Sequence, residues 1–378
     1  MKYLSQHTLE RIRQIASHQE DPFYWYDSDE IRRNCYAFAE IAYPHKSIHF
    51  ATMANANPTF LRIVRETGTN VFVNSLGHLR IARDVGYVGR EIVFTSSGMS
   101  ENLMRVVHDE KVVLNLDSMS QLRRFWRLFP DTPVGIRCNI GARVTPRKTH
   151  SGYFLGKESR LGIDFDDLQT LYGHPHIEGL HLYLGTDIVD LDYYRECYDV
   201  MADIAQHFPH LDYIDFGGGF GIPENGEDEF PMQAYGTMVT SLMETVSERA
   251  QKPIRLLLEP GRIIGATAGF LAVRITDIKQ RNGRQLVGVN ASSAQFSRPL
   301  LYPEDAYHPV IRLSGPMEPL IPSAVYGSST YSRDFLAHDI LLPPLQENEW
   351  LILCVAGSYC ASSHTRFLGF DSIEEIFS

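Results

Sequence analysis

The chain has 378 residues, of which 44% are hydrophobic and 21% charged, and its formal net charge is −11. This length favours two domains, and the composition is ordinary for a globular protein that buries a large core. The negative balance, with no Lys/Arg-dense run, argues against a nucleic-acid partner or an acidic membrane surface. No apolar run is long enough to span a bilayer and the first residues lack an apolar signal segment, so we expect a cytoplasmic protein with no membrane contact.

The N-terminal segment, residues 1–27, predicts a short helix followed by a strand at 22–27. The strand is indicated by four consecutive aromatic residues, a composition that favours extended backbone. A helix is expected over 28–42, where Asp27 or Ser28 is a suitable N-cap and Glu30 lies in the first turn.

Apolar, strand-like runs recur through the middle of the chain, and the first five begin 21–23 residues apart, the length of a short strand–helix unit. Eight such runs alternating with helical patterns predict a (β/α)8 TIM barrel over residues 28–264. The runs are 47–53, 70–73, 91–95, 112–116, 133–140, 177–184, 212–216 and 254–258. The helical patterns are 58–67, 76–85, 100–107, 118–128, 192–207 and 232–249.

Two stretches depart from this rhythm. The gap before the sixth run, 143–159, is rich in Thr, Gly, Lys and His and predicts a functional loop or lid. After Arg262 the helical patterns cease, which predicts an all-β domain made of residues 1–27 and 265–378. Its strands are expected at 270–278, 285–289, 308–313, 324–325 and 350–355.

A triple glycine, Gly217-Gly218-Gly219, follows the seventh predicted strand. Consecutive glycines let backbone N–H groups approach an anion closely, and this place in a barrel is a common phosphate site. Alone the motif is weak, because it also fits a tight turn.

The eighth predicted strand ends in Leu258-Glu259-Pro260-Gly261-Arg262. A buried carboxylate beside a pyridine nitrogen keeps that nitrogen protonated, and an arginine is suited to pair with a phosphate. The alternative is a structural Glu–Arg pair at the strand end.

The end of the first barrel run, Phe50-Ala51-Thr52-Met53-Ala54-Asn55-Ala56-Asn57, resembles the lysine segment of the fold type III pyridoxal-phosphate decarboxylases. This is the family of ornithine, arginine and diaminopimelate decarboxylases, whose pattern there is roughly Tyr-Ala-x-Lys-Ala-Asn-x-Asn. Met53 therefore stands where the family has its Schiff-base lysine. The resemblance runs from Pro22 to about Phe367 and rests on the order and spacing of several modest motifs. It implies an alanine racemase-like two-domain architecture, a pyridoxal 5'-phosphate cofactor, an amino-acid substrate and a homodimer.

The resemblance also implies roles for barrel residues. Glu259 would meet the pyridine nitrogen, and Arg137 matches an arginine that lies near the cofactor. The sixth-strand segment, Gly179 to Thr186, aligns with His-x-His-x-Gly-Ser, so Tyr183 replaces the histidine that stacks on the cofactor ring. His181 is expected to pack inside the barrel. The phosphate would be held by Gly217, Gly218, Gly219, Gly261, Arg262 and the hydroxyl of Thr186.

In the second domain, Arg298 and Tyr302 match the Arg-Pro-x-x-Tyr of the diaminopimelate branch, which grips a substrate carboxylate. Tyr359 resembles a tyrosine that reaches the phosphate. Thr330 and Tyr331 stand where the family has its catalytic thiol and the acid that recognises a distal amine. The five cysteines lack metal-ligand spacing and are expected to be free thiols, with Cys360 either a displaced catalytic thiol or a core residue.

Three explanations fit the missing lysine: engineered removal, natural divergence, or a pseudoenzyme. The accompanying loss of the histidine, the thiol and the acid favours natural divergence. We therefore expect a decarboxylase-like protein that holds its cofactor non-covalently and acts on an amino acid or a derivative by atypical chemistry. The alternative is an inactive homologue that binds a cofactor, a ligand or a protein partner. Lys148 and Lys157, on the predicted lid, are better replacements for the lysine than Lys46, which lies at the far end of the barrel.

Overall fold

The computed structural model describes residues 4–149, 151–222, 229–303 and 306–378, and the chain divides into two compact units. One unit comprises Arg32–Ile263, and the other combines Met1–Ile31 with Ile264–Ser378. The helices are α1 Gln6–Ala16, α2 Ser28–Ala39, α3 Pro58–Glu66, α4 Leu76–Val85, α5 Glu101–Asp109, α6 Met119–Leu128, α7 Phe165–Gln169, α8 Leu191–Ala205, α9 Met232–Ala250, α10 Arg262–Gly265 and α11 Arg298–Leu301. The strands are β1 Phe23–Tyr26, β2 Lys46–Ala51, β3 Asn70–Val73, β4 Ile92–Ser96, β5 Val113–Leu116, β6 Val134–Asn139, β7 Lys148–Thr149, β8 Gly152–Tyr153, β9 Ile163–Asp164, β10 Ile177–His181, β11 Tyr213–Asp215, β12 Arg255–Leu258, β13 Gly269–Arg281, β14 Arg284–Val289, β15 Val310–Arg312, β16 Ile321–Tyr326, β17 Phe335–Leu342, β18 Trp350–Leu353 and β19 Glu374–Phe377.

The first unit is a closed parallel barrel. Within the described ranges its eight strands pair in the order β2, β3, β4, β5, β6, β10, β11 and β12. Pairing of β12 with β2 and of β6 with β10 closes the sheet on itself. The predicted (β/α)8 barrel is confirmed, and its strands fall on the eight predicted apolar runs. The carboxyl ends of these strands share one rim, where barrels of this kind place their chemistry.

The helices that follow the strands begin at side-chain caps. Asn57 accepts a hydrogen bond from the Thr59 amide, and Pro58, whose missing N–H is not needed there, opens α3. Serines at positions 75, 100 and 118 cap α4, α5 and α6 in the same way. These caps fix where each strand-to-helix loop ends, and so they set the rim of the barrel.

A tyrosine closes the barrel interior below the rim. Tyr213 is fully buried, and its hydroxyl donates to Asn115 Oδ1 at 2.7 Å. A Cβ atom at Gly135 of β6 or Gly179 of β10 would overlap the Tyr213 side chain, so the ring fits only because both strands carry glycine there. Above it, Asn115 Nδ2 donates to Asp215 Oδ2 at 3.3 Å, which joins this floor to the rim.

The second unit contains an all-β sheet, as predicted, ordered β15-β18-β13-β14-β16-β17. β1 pairs antiparallel with β13 and parallel with β19, so residues near both ends of the sequence share this sheet. The long strand β13 is central, since it also pairs with β14 and β18.

Some elements differ from the sequence-based prediction. β17 and β19 were not predicted, β16 is longer than the two residues expected, and α2 ends at Ala39 instead of residue 42. The predicted lid, 143–159, holds the hairpin β7–β8, although position 150 lies outside the described residues. No helix in the described part of the chain is long and apolar enough to cross a membrane.

Candidate active site

The glycine loop after β11 is tied to the neighbouring strand ends. The Glu259 amide donates to Gly217 O at 2.8 Å, and the Ala51 amide donates to Pro260 O at 2.9 Å. Gly217 and Gly219 have φ values of +63° and +96°, which L side chains rarely adopt. A Cβ atom at any of the three glycines would meet a backbone carbonyl oxygen. The loop is therefore a close-packed turn of the kind that presents backbone N–H groups to an anion.

Three buried ionisable side chains meet beside this loop. Glu259 Oε2 lies 3.6 Å from His181 Nε2, and one ligating atom from each of His181, Asp215 and Glu259 falls within 4.8 Å of the others. Asp215 Oδ1 also accepts from the Gly217 amide at 2.9 Å. Among the described residues, Glu259 Oε1 and both ring nitrogens of His181 have no hydrogen-bond partner.

Burial controls the charge of this cluster. It raises the pKa of Glu259 to about 7, and together with the neighbouring Glu259 it holds the pKa of Asp215 well above the usual range. It lowers the pKa of His181 to about 4, so this imidazole is neutral near pH 7. Because the Asp215 and Glu259 carboxyls lie so close together, the pair retains a proton near neutral pH. A cation placed against Glu259 would favour loss of that proton.

Tyr183, the predicted stacking residue, stands at the rim after β10. The ring of Phe154 meets it edge-on with centroids 4.9 Å apart, and the Arg137 guanidinium lies 5.9 Å from its centroid. Its hydroxyl is 3.3 Å from Thr186 Oγ1. Burial raises the pKa of Tyr183 to about 12, so its hydroxyl is a poor proton donor near neutral pH. Arg137 is itself held by Asp117, with 3.5 Å between Nη1 and Oδ1.

Met53 lies just beyond the end of β2 and is 37% exposed. Asn74 Nδ2 lies 2.6 Å from its Sδ atom. The preceding Thr52 hydroxyl donates to Phe72 O at 3.0 Å and lies 2.9 Å from His78 Nδ1. The position that the resemblance aligns with the family's lysine thus holds an uncharged thioether. His78 contacts the side chain of the preceding residue, Thr52.

Arg262 opens α10, and its guanidinium is ion-paired to Asp187 on the loop after β10. Both side chains are largely buried, at 5% and 12% exposure. Gly261, the residue before Arg262, is buried as well. The arginine predicted to meet a phosphate therefore already has an anionic partner.

The lysines discussed as replacements occupy different places. Lys46 begins β2, at the end of the barrel opposite Met53, and its Nζ donates to Tyr43 O at 3.3 Å. Lys148 lies in the β7–β8 hairpin beside Thr149, whose methyl group packs near Gly185 of the rim loop. The hairpin thus reaches the rim, while Lys157 follows it in the same segment.

In the second unit, the predicted carboxylate-binding pair lies on α11. Arg298 is buried, and its guanidinium sits 5.5 Å from the centroid of the Tyr302 ring. Tyr359 adopts a φ of +56° and is preceded by Gly357, where a Cβ atom would overlap Gly265 O. Cys360 is fully buried, which fits a core residue, and all five cysteines are free.

Thr330 and Tyr331 lie on the loop between β16 and β17. Thr330 is exposed, and Tyr331 packs edge-on against Phe367, with ring centroids 5.6 Å apart. The loop is anchored by buried Asp334, whose carboxylate accepts from the Ser293 amide at 2.6 Å and from the Ser329 amide at 2.9 Å.

Asp187, Asp215 and His78 were missed in the sequence analysis. Asp215 lies two residues before the triple glycine, so its place at the end of β11 was a usable signal. Asp187 follows Thr186 in a short loop, and nothing local distinguishes it from a solvated turn residue. His181 was expected to pack in the barrel, and its burial agrees, yet it also contacts the Glu259 carboxylate.

These features fit a pyridoxal phosphate group. Glu259 Oε1 is a buried acceptor without a partner among the described residues, which suits a protonated ring nitrogen. The three glycines pack against backbone carbonyl oxygens with no room for a Cβ atom, which fixes a tight turn at the ends of β11 and β12, where barrels commonly bind a phosphate.

Comparison with known proteins agrees with this geometry. Residues 28–266 match the model of the pyridoxal-binding domain of pyridoxal-dependent decarboxylases. The chain is 28% identical to a diaminopimelate decarboxylase of Aquifex aeolicus over 371 residues, covering 93% of this chain and 86% of that protein. It is 25% identical to a diaminopimelate decarboxylase of Escherichia coli strain K12, covering 95% of this chain and 89% of that protein.

Solved structures share the fold. The diaminopimelate decarboxylase of Helicobacter pylori complexed with L-lysine superposes with a TM-score of 0.86 at 22% identity, covering 97% of this chain and 94% of that one. The lysine/ornithine decarboxylase of Vibrio vulnificus complexed with putrescine gives 0.85 at 20% identity, covering 99% of both chains. By its barrel, its motifs and these matches, the chain belongs to the family of pyridoxal-dependent decarboxylases, whose cofactor is pyridoxal phosphate.

Proposed function

We propose that this protein binds pyridoxal phosphate non-covalently at the barrel rim and decarboxylates an amino acid or an amino-acid derivative by lysine-independent chemistry. One observation carries the proposal. The glycine loop, the buried Glu259 and Arg262 are joined at the ends of β11 and β12, while Met53 leaves no amine at the end of β2.

The roles divide along the rim. When bound, the cofactor supplies an aldehyde for the substrate amine and a ring that accepts the electron pair left as CO2 departs. Glu259 would keep the ring nitrogen protonated, because a ring cation would stabilise the ionised carboxylate. Arg262 and the glycine loop would hold the phosphate, and Tyr183 would pack on the ring face. Phe154, which meets Tyr183 edge-on, would support that ring.

Lysine in this family assists exchange of the amine on the cofactor and moves protons. Met53 can do neither, and the Tyr183 hydroxyl, with its pKa raised to about 12, is a poor substitute. We therefore expect slow turnover, with amine exchange and product release as the slow steps. Tyr331, which replaces the distal acid, favours a substrate whose far end is neutral or aromatic over a diamine-like one.

The test combines binding and turnover. Cofactor titration followed by absorbance gives an affinity for the wild type, E259Q and R262A. CO2 release is then measured over a panel of basic, neutral and aromatic amino acids. We expect wild-type binding, loss of about tenfold or more in affinity in both variants, and release with at least one amino acid. Unchanged cofactor affinity in E259Q and R262A would refute the site.

The second candidate is a non-catalytic binding homologue, and the observation that favours it is Met53 itself. Both candidates predict cofactor binding. Cofactor binding without CO2 release from any amino acid in the panel would favour the non-catalytic one.

The family resemblance also supports a homodimeric assembly, which we propose for this chain. In the family the segment that matches Thr330 to Asp334 completes the active site of the partner subunit.

A further inference from the structure

The ion pair between Arg262 and Asp187 raises a question about the phosphate site. Arg262 is the cation placed beside the glycine loop, yet Asp187 already neutralises it in a largely buried setting. The pair has no net charge, so a phosphate dianion entering the loop would meet a carboxylate as well as a guanidinium. Buried like charges repel strongly because little solvent screens them.

Asp187 is held in this place by its backbone. The next residue, Ile188, donates its amide to Gly219 O at 2.9 Å and accepts from the Gly221 amide at 3.0 Å. These bonds join the Asp187 loop to the glycine loop on both sides of Phe220, with which Ile188 forms a β-bridge. The backbone that carries the carboxylate is thus fixed against the glycine loop, while the side chain itself is held by its ion pair with Arg262.

The conformation of Asp187 is also unusual. Its φ is +54°, a left-handed value that few residues other than glycine, asparagine and aspartate adopt. Such strained residues cluster at functional sites when the surroundings impose them. The side chain carried on this backbone forms the ion pair with Arg262.

We propose that Asp187 is an internal competitor for the phosphate site: its ion pair with Arg262 must open before Arg262 can bind a phosphate. A phosphorylated ligand then binds weakly and leaves readily, which in a site without lysine makes the cofactor exchangeable. This inference rests on the proposed function, because it takes the Arg262 site as the one that receives the cofactor phosphate.

The test removes the carboxylate while preserving the backbone. D187N keeps a residue that tolerates positive φ, and D187G is a second variant that accepts it without strain. The matched control is D190N, since Asp190 lies three residues along the same chain segment and pairs with Arg147 at 2.6 Å, away from Arg262. Asparagine also preserves the helix cap that Asp190 gives α8.

Affinities are measured by titration with pyridoxal phosphate and, to isolate the phosphate, with pyridoxal. We expect D187N and D187G to bind pyridoxal phosphate about tenfold more tightly than the wild type or better. The pyridoxal affinity of D187N and D187G, and both affinities of D190N, should stay within about twofold of the wild-type values. Equal or weaker pyridoxal phosphate binding in D187N and D187G would overturn the inference while leaving the proposed function intact.

A second readout separates the two hypotheses. Inorganic phosphate should raise the melting temperature of D187N more than that of the wild type, since the Asp187 carboxylate no longer competes for Arg262. That result without pyridoxal phosphate binding in any variant would support the inference and refute the proposed function. An equal phosphate effect in D187N, D190N and the wild type would overturn the inference.

Discussion

Met53 is the residue on which the proposed chemistry depends. By sequence resemblance it stands where the family has a lysine, just beyond the end of β2, and its side chain is partly exposed. An apolar thioether there removes an amine without emptying the space, because methionine and lysine have similar lengths. In the proposed function the cofactor is therefore held by its phosphate and its ring alone.

Restoring the amine gives the first prediction. M53K, incubated with pyridoxal phosphate and reduced with borohydride, should gain one covalently attached cofactor per chain, with peptide mapping to position 53. The wild type and the apolar control M53L should gain none, because neither carries an amine at position 53. An adduct in the wild type would show that another lysine has taken over. No adduct in M53K would mean that position 53 does not face the cofactor.

Glu259 gives a prediction about pH. Burial raises its pKa to about 7 in the folded protein, whereas an unfolded glutamate titrates near about 4.3. Folding therefore takes up a proton between these values, so the free energy of unfolding falls as the pH rises through that window. E259Q has no carboxyl that titrates at this position. Its free energy of unfolding should therefore rise relative to that of the wild type between pH 5 and 8, by on the order of 3 kcal/mol.

Chemical denaturation of the ligand-free proteins at several pH values measures this difference. The neighbouring Glu259 also raises the pKa of Asp215, so the pH profile of E259Q includes the change at Asp215. Parallel pH profiles for E259Q and the wild type would contradict the raised pKa of Glu259.

At the scale of elements, the residue that anchors the loop between β16 and β17 is different from the residues of that loop that are proposed to meet the substrate. Thr330 and Tyr331 differ from the family pattern, but Asp334 still anchors the loop through Ser292, Ser293 and Ser329. Although burial opposes it, hydrogen bonds from Ser329 and Ser293 lower the pKa of Asp334 below its usual value. The loop thus keeps its shape independently of the residues at its tip.

D334N tests this anchor. Asparagine cannot accept all of these bonds as an anion, and buried donors would be left unpaired, so the loop should lose about 2–4 kcal/mol of stability. Hydrogen exchange at the Ser293 and Ser329 amides reports the loss directly. The control is D339N, which removes an exposed carboxylate paired with Arg284 and should change stability by less than about 0.5 kcal/mol. Equal exchange in D334N and D339N would rule out the anchor.

The elements that the sequence predicted are those with a strong local pattern. The barrel strands are apolar runs between capped helices, so their period and their end signals agree. β17 was missed because its Phe-Leu-Ala-His-Asp-Ile-Leu-Leu sequence mixes polar and apolar residues on a half-exposed sheet. The two-residue strands β7 and β8 are too short to leave any periodicity.

The site was predictable only in part. The glycine loop, Glu259 and Arg262 could be proposed from the sequence because each lies at a predicted strand end, where parallel strands bring their neighbours together. The ion pair of Asp187 with Arg262 was not, because it joins two loops 75 residues apart in the sequence and depends on the tertiary fold. The same holds for the contact of His181 with Glu259.

For the whole molecule, the expected assembly is a homodimer, as is typical of the family. Sedimentation velocity at micromolar concentration should give one species of twice the 43.0 kDa chain mass. Thr330 and Phe367, both exposed in the second unit, offer a probe: T330E and F367E should leave each chain folded. A single 43.0 kDa species in the wild type would exclude the dimer.

The sheet of the second unit has a consequence for synthesis on the ribosome. β1, at residues 23–26, pairs with β19 at 374–377, with the whole barrel encoded between them. The nascent chain therefore presents its Phe-Tyr-Trp-Tyr strand early, while both neighbours of that strand, β13 and β19, are still untranslated. The barrel, which is contiguous in sequence, can fold first. The aromatic strand must be shielded meanwhile, so translational pausing within the barrel should raise the demand for chaperones more than pausing after β19.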